Sequence, residues 1–310
     1  MKIICATPLN ETYRKELSDI TADIQFMDKK DITVEDLKDT DAVLGNVDPD
    51  ILNQSSSLKW VQLDSAGADK WCSLKDDIVL TNASGAYNTA ISEHMLGCTL
   101  AVIKNLYRYR EQQESHDWIN LGPVRTISQL KILVVGMGEI GTAYGKLMHT
   151  LVAEVYGVRR TIHDKPDFVK KLYTTDTMQE ILPYADIVAL CLPKTPDTYH
   201  IINEDTLAQM KKGAVLINVG RGNAVDENAL IKAMKSHHLS AACLDVTEHE
   251  PLPKNSPLWE CENVYITPHI SGKFNAETTI DKIVSIYAEN LKHFINKETL
   301  INIVDKKLRY

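Results

Sequence analysis

Three chemically different side chains fall just beyond the carboxyl ends of strand-like apolar runs in the second half of the chain. Arg221 follows Ala-Val-Leu-Ile-Asn-Val-Gly in NVGRGNAVDENAL, Glu250 lies shortly after the run ending at Asp245 in LDVTEHEPLP, and His269 follows Val-Tyr-Ile-Thr-Pro in VYITPHISG. A guanidinium, a carboxylate and an imidazole are groups of anion binding and proton transfer. Taken singly, each has an ordinary structural reading: an arginine paired with a surface acid, a solvated glutamate before proline, a histidine satisfied by its neighbours. Open α/β sheets bind ligands outside the carboxyl ends of their strands, so the shared position of the three gives them weight as a group.

A fourth feature says what kind of sheet this is. Lys131 to Gly141 reads KILVVGMGEIG, a buried-strand pattern followed at once by Gly136, Gly138 and Gly141 in the GxGxxG spacing of a dinucleotide-binding turn. Gly136 permits the tight turn, Gly138 lets the backbone approach a pyrophosphate, and Gly141 lets the next helix, from Glu139 to about Met148, pack close to the sheet. The N–H groups at the start of that helix would point at the phosphates. About 20 residues on, enzymes that use NAD place an acid on the ribose 2′-hydroxyl. Here EVYGVRRT puts Arg159 at that position, Arg160 beside it and the Thr161 hydroxyl next. Guanidinium groups would bind a 2′-phosphate, which predicts a preference for NADP(H) with NAD(H) as the alternative; the plain reading is two solvated arginines at a strand end.

The elements that must position these residues form two series. Strand-like runs at Lys131–Val135, Glu154–Val158, Ile187–Leu192, Ala214–Val219, Ala241–Asp245 and Val264–Thr267 alternate with helical stretches such as Asn203–Lys211 and Asp226–Lys235. This pattern predicts a doubly wound, mostly parallel Rossmann sheet. An earlier series, Lys2–Ala6, Asp41–Leu44, Trp60–Leu63 and Ile78–Thr81, predicts a second small α/β lobe. One long helical run from Thr89 to about Ser115 joins them, and a final run ends near Asn296. If the final run returns to the first lobe, the nucleotide lobe (98–274) is an insertion in a substrate lobe made of 1–97 and 275–310.

Composition agrees with a two-domain globular chain. The 310 residues are too many for one ordinary core. Their 34 basic against 42 acidic side chains leave a net charge of −8, which disfavours nucleic acid as a partner. Six scattered cysteines form no CxxC pair and no metal-ligand spacing, and no apolar run suits a signal peptide or a membrane span. A cytoplasmic protein with reduced thiols and no metal is expected.

These motifs together resemble the D-isomer-specific 2-hydroxyacid dehydrogenases. LKWVQLDSAGADK, VLTNASGAYNTAISEHMLG, VVGMGEIG, CLPKTPDTYHIIN, INVGRGNAVDENAL, LDVTEHEPLP and YITPHISG match that family's segments in order, nearly end to end. The stretch from Glu93 through YREQQESHDW to VYGVRRT is most similar to the branch of glyoxylate and hydroxypyruvate reductases and related 2-ketoacid reductases. The resemblance implies reduction of a small 2-ketoacid with Arg221, Glu250 and His269 as catalytic residues. It implies that Arg221 holds the substrate carboxylate and polarises the ketone, that His269 donates the proton, and that Glu250 fixes the ring and stabilises imidazolium. Amides near Ala66 and Gly67 would cradle the same carboxylate. Cofactor contacts are implied at Gly136, Gly138, Glu139, Ile140, Gly141, Arg159, Arg160, Thr161, Leu192, Pro193, Thr198, Val219, Gly220, Asp245, His269 and Gly272, with Asp245 on the nicotinamide carboxamide. The resemblance also implies a homodimer paired through the arm that holds Trp118.

The chain departs from the family pattern at Thr247, where an aromatic residue is common, and at Ser92, where alanine is. His94 and His116 receive no role. Formate dehydrogenases place glutamine where Glu250 stands, which argues against that activity. A short phosphoglycerate dehydrogenase using NAD is the alternative within the family, since the chain stops at Tyr310 without the regulatory domain many members carry. A nucleotide-sensing binding protein like the related corepressors is the alternative outside enzymes, disfavoured by retention of all three catalytic residue types.

Overall fold

The computed structural model describes every residue except His163, Asn275 and Tyr310. The chain divides into two compact units, one of Met1–Tyr87 with Phe274–Tyr310 and one of Asn88–Lys273. The expected lobe boundary at 97/98 would cut the helix Asn88–Ile103, which packs on the helix Glu139–Thr150 of the second unit. The other expected boundary, at Asn275, and the start of the last helical run lie outside the described residues.

The first unit holds five parallel strands: β1 (Ile3–Cys5), β2 (Ile24–Phe26), β3 (Ala42–Leu44), β4 (Trp60–Gln62) and β5 (Val79–Thr81), in the order β2-β1-β3-β4-β5. This is the flavodoxin-like order. Helices α1 (Glu11–Ser18), α2 (Pro49–Leu52) and, at the end of the chain, α8 (Glu277–Asn296) belong to it. In α8 the buried residues Thr279, Ile283, Val284, Tyr287, Ala288 and Leu291 recur at helical spacing, so one apolar stripe faces the core. Asn290, fully buried on the same helix, donates from Nδ2 to Gln62 Oε1 at 2.7 Å and accepts from the Ile301 amide at 2.7 Å. The terminal helix is thereby fastened to β4, which is how a segment so late in the chain completes the first unit.

The second unit is a seven-stranded parallel sheet. Its strands are β6 (Lys131–Val135), β7 (Glu154–Val158), β8 (Val169–Tyr173), β9 (Ile187–Leu190), β10 (Val215–Asn218), β11 (Ala241–Leu244) and β12 (Val264–Ile266). The order β12-β11-β10-β9-β6-β7-β8 contains the 3-2-1-4-5-6 arrangement of a complete Rossmann unit with β12 added at the edge. All four residues of β9, and Ile132 to Val135 of β6, are fully buried, as a sheet covered on both faces requires. Helices α3 (Asn88–Ile103), α4 (Leu106–Ser115), α5 (Glu139–Thr150), α6 (Glu204–Gln209) and α7 (Glu227–Lys235) complete the unit.

Two strands beyond the sequence reading appear. β2, Ile24–Phe26, buries only its first residue and exposes Gln25, and β8 carries exposed lysines at 170 and 171, so neither shows the apolar run that marks a central strand. The long helical run also breaks. Asn105, at φ 55°, ends α3 and starts α4. Trp118 is fully exposed, so it is no part of the chain's own core.

Candidate active site

β12 leads into a loop that carries His269 in a left-handed backbone conformation, φ 51°. The reversal lets the His269 amide reach the Asp245 carbonyl at 2.9 Å while its ring turns toward the loop after β11. There His269 Nδ1 lies 2.7 Å from Glu250 Oε2. A carboxylate can only accept, so Nδ1 carries the hydrogen and donates, which leaves Nε2 as the atom that gains or loses a proton. Among the described residues Nε2 has no partner. The side chains of His269 and Glu250 are 46% and 38% exposed, so this pair is open to a ligand. Glu250 is itself oriented by the Thr247 amide, which donates to Oε1 at 3.2 Å.

Asp245, at the end of β11 and 3% exposed, holds the His269 loop from behind. Its Oδ1 accepts from Thr267 Oγ1 at 2.6 Å and from the Ile270 amide at 2.9 Å; its Oδ2 accepts from the Ser271 amide at 3.0 Å and from the Ser271 hydroxyl. Burial pushes this carboxyl up, but the four hydrogen bonds outweigh it and hold the group below its ordinary value. Both oxygens of the residue expected to meet the nicotinamide are thus engaged by the segment that carries His269.

Arg221 follows β10 on a turn pinned by the buried Asn218, whose Nδ2 donates to the Arg221 carbonyl at 3.0 Å and whose Oδ1 accepts from the Gly220 amide at 3.1 Å. The half-buried Arg221 side chain donates from one terminal nitrogen to the Gly220 carbonyl at 2.9 Å. Next to it, a Cβ on Gly222 would lie 1.9 Å from the Thr247 carbonyl oxygen. Only glycine allows this approach, and the approach sets the Arg221 turn against the loop that orients Glu250.

The glycine turn after β6 brings two stretches of backbone close together. Gly136 has φ 101°, and a Cβ there would strike the Cys191 carbonyl oxygen at 2.6 Å. Gly138, the N-cap of α5, differs: its φ is −80°, and nothing lies within 4 Å of the Cβ it lacks. Neither backbone strain nor packing within the chain demands glycine there, which fits a position kept bare for a ligand's pyrophosphate. Glu139 and Ile140 open the helix, and Glu139 accepts from Asn88 Nδ2 at 2.9 Å. Leu192 and Pro193 follow β9, where Thr198 Oγ1 donates to the Pro193 carbonyl at 2.7 Å; Val219 and Gly220 follow β10, and Gly272 follows β12. Arg159, just past β7, donates from Nε to the Met137 carbonyl of the glycine turn at 3.0 Å, with Arg160 and Thr161 exposed beside it. In the first unit, Ser65 Oγ donates to the Gly67 carbonyl at 2.8 Å, and the Ala66 and Gly67 amides donate to nothing among the described residues.

The family model for the D-isomer specific 2-hydroxyacid dehydrogenase NAD binding domain matches residues 96–271. A glyoxylate reductase of Thermofilum pendens is 31% identical over 88% of this chain and 83% of its own length. The chain belongs to the D-isomer-specific 2-hydroxyacid dehydrogenases. A glyoxylate/hydroxypyruvate reductase B of Erwinia tasmaniensis is 33% identical over 74% of this chain and 73% of its own. The crystal structure of a D-isomer specific 2-hydroxyacid dehydrogenase from Xanthobacter autotrophicus, in complex with NADPH and MES, superposes with a TM-score of 0.86 at 27% identity, covering 100% of this chain and 99% of that one.

As a member of this family the protein is an NAD(P)-dependent oxidoreductase of the glyoxylate reductase branch. Several of its supporting residues escaped the sequence reading. Asn218 was hidden inside an apolar strand, although its place just before Gly-Arg-Gly is the signal that could have found it. His200 Nε2 lies 3.0 Å from Glu248 Oε1, and the Glu248 amide donates to Glu227 Oε1 at 2.6 Å, so both brace the loop that carries Glu250. Among the described residues no helix is long and apolar enough to cross a membrane, and no cluster of three His, Cys, Asp or Glu side chains could hold a metal.

Proposed function

We propose that this dehydrogenase reduces a small 2-ketoacid, of the glyoxylate or hydroxypyruvate kind, to the D-2-hydroxyacid with NADPH. The observation that carries the reading is the 2.7 Å His269–Glu250 pair, open to solvent and set on a loop packed against the Arg221 turn. The names of the Thermofilum and Erwinia relatives support the substrate class, and the NADPH in the Xanthobacter structure supports the cofactor.

When bound, the nicotinamide supplies the hydride for C2 of the ketoacid. Arg221 binds the carboxylate through charge-assisted hydrogen bonds and polarises the ketone oxygen. His269, protonated at Nε2, gives its proton to the oxygen as negative charge develops there, and Glu250 stabilises the imidazolium through Nδ1. Asp245 keeps the His269 loop in register. The Ala66 and Gly67 amides are the further carboxylate donors we assign in the first unit. Arg159, Arg160 and Thr161 bind the 2′-phosphate. A cytoplasmic homodimer paired through the arm at 116–126 belongs to the same reading, and its exposed Trp118, Ile119 and Val124 offer the apolar surface.

His269→Ala tests the assignment. The variant should bind NADPH like the wild type, while kcat for ketoacid reduction falls by roughly 10²–10⁴-fold, the usual share of general acid catalysis. A kcat near wild type would remove His269 from the reaction.

A further inference from the structure

The Ala66 and Gly67 amides stand in a loop whose carbonyls are all taken. The carbonyl of Asp64 accepts from the Tyr87 hydroxyl, that of Ser65 from the Ala83 amide at 3.0 Å, that of Ala66 from Asn82 Nδ2 at 2.7 Å, and that of Gly67 from Ser65 Oγ at 2.8 Å. In a trans peptide the C=O and the next N–H point in opposite directions. Tying these carbonyls down therefore turns the Ser65, Ala66 and Gly67 amides away from the atoms that hold them, and among the described residues none of the three has an acceptor. Successive backbone N–H groups left free in this way suit an anion.

The clamp on these carbonyls is itself fixed. Asn82 Oδ1 accepts from the Ser84 amide at 3.0 Å, so its side-chain amide cannot turn without losing a bond. Asn302, at φ 55°, braces it from the end of the chain: its carbonyl accepts from the Asn82 amide at 3.1 Å and its Nδ2 donates to the Ser84 carbonyl at 3.0 Å. Asn46 Oδ1 accepts from the Asp64 amide at 3.1 Å and fixes where the loop begins. Asn82 and Tyr87 are only 7% and 6% exposed, whereas Ser65, Ala66 and Gly67 are half-buried. The two side chains are sealed behind the backbone they hold, and the backbone is what a ligand reaches.

We propose that Asn82 and Tyr87 are positioning residues for the substrate carboxylate: Asn82 orients the peptide group that carries the Gly67 N–H, and Tyr87 orients the one that carries the Ser65 N–H. The inference rests on the reading that the Ala66 and Gly67 amides bind a 2-ketoacid, and it adds the groups that set their direction. Neither side chain touches the reacting atoms. The carboxylate is bound alike before and during hydride transfer, so loosening the clamp weakens substrate binding and leaves the chemical step alone. Asn82→Asp keeps the acceptor for the Ser84 amide but sets a carboxylate oxygen against the Ala66 carbonyl, and the repulsion turns that peptide group. Tyr87→Phe is milder, since it removes one hydroxyl and leaves the Asp64 carbonyl without its donor.

Both variants are compared with the wild type at saturating NADPH. KM for the best 2-ketoacid should rise by about tenfold in Asn82→Asp and about threefold in Tyr87→Phe, while kcat and the Kd for NADPH stay within about twofold. Calorimetric titration of the protein with NADPH bound, using oxamate, a carboxylate whose amide carbonyl takes no hydride, should show the same losses of affinity without any turnover. A role in stability alone would lower Tm and leave KM and oxamate affinity at their wild-type values. Unchanged KM and oxamate affinity in both folded variants, or a fall in kcat at unchanged KM, would overturn the proposal. Should the wild type reduce no ketoacid, the proposed function fails, and the titration still decides the clamp: oxamate bound by the wild type and more weakly by both variants supports it, whereas no binding by the wild type or equal binding by all three overturns it.

Discussion

At the scale of single residues, the proposed site pairs groups assigned to the ligand with groups that hold them in place. Arg221, Glu250 and His269 were visible in the sequence because each stands just past an apolar run, where an open sheet binds its ligands. Their supports were not: Asp245 was marked only for the nicotinamide and Asn218 and Gly222 for nothing, since all three act through distances between loops that no linear spacing encodes. Arg221 makes the sharpest prediction here. Arg221→Ala should lower kcat/KM toward the best 2-ketoacid by about ten- to a hundredfold, the ~1.5–3 kcal/mol of a hydrogen bond to a charged group. Arg221→Lys should recover only part of it, because an ammonium lacks the planar fork. Steady-state kinetics on both variants checks this, and unchanged kcat/KM in Arg221→Ala would take the residue out of the site.

At the scale of elements, helices and central strands were legible where periodicity was strong. β6, β7 and the helix Glu227–Lys235 fall where apolar spacing placed them, whereas β2 and β8 are short or half-exposed edge strands without that signal. The break between α3 and α4 was illegible for another reason: Asn105 takes a left-handed conformation that asparagine tolerates without a glycine or proline to announce it. Burial of polar groups between elements was equally hidden. Asp64, just past β4 and 8% exposed, accepts from Thr7 Oγ1 at 3.3 Å, and Thr7 Oγ1 lies 2.7 Å from the hydroxyl of Tyr287 on α8. Burial, opposed by the Thr7 hydrogen bond and the charge of Lys29, raises its carboxyl from 3.8 to about 6. The folded chain therefore keeps a proton that the unfolded chain gives up between those values, and this group's contribution to stability falls as pH rises through that window. Asp64→Asn should thus raise the unfolding free energy at pH 8 by about 1–3 kcal/mol and by much less at pH 4. Urea denaturation at the two pH values measures it. An equal gain at both, or a loss at pH 8, would show that the burial of Asp64 carries no such cost.

At the scale of the whole molecule, two parallel-sheet units with flavodoxin-like and Rossmann strand orders are what the family membership entails, and the ordered motifs from LKWVQLDSAGADK to YITPHISG carry that membership in the sequence. Cofactor choice is the part the fold leaves open, because one sheet order serves both nicotinamide cofactors and the difference rests on a few side chains after β7. Arg159, drawn against the glycine turn by its bond to Met137, is the structural reason to expect a 2′-phosphate there. The most direct measurement is the initial rate of nicotinamide oxidation by the wild-type protein at low ionic strength, with NADPH and with NADH, across glyoxylate, hydroxypyruvate, pyruvate, phenylpyruvate and branched 2-ketoacids. At least one ketoacid should be reduced to its D-hydroxyacid with kcat/KM about tenfold or more higher for NADPH, given ~1.5–3 kcal/mol for each charge-assisted contact, and added salt should narrow the gap. No turnover with any of these acids, or a preference for NADH, would contradict the account.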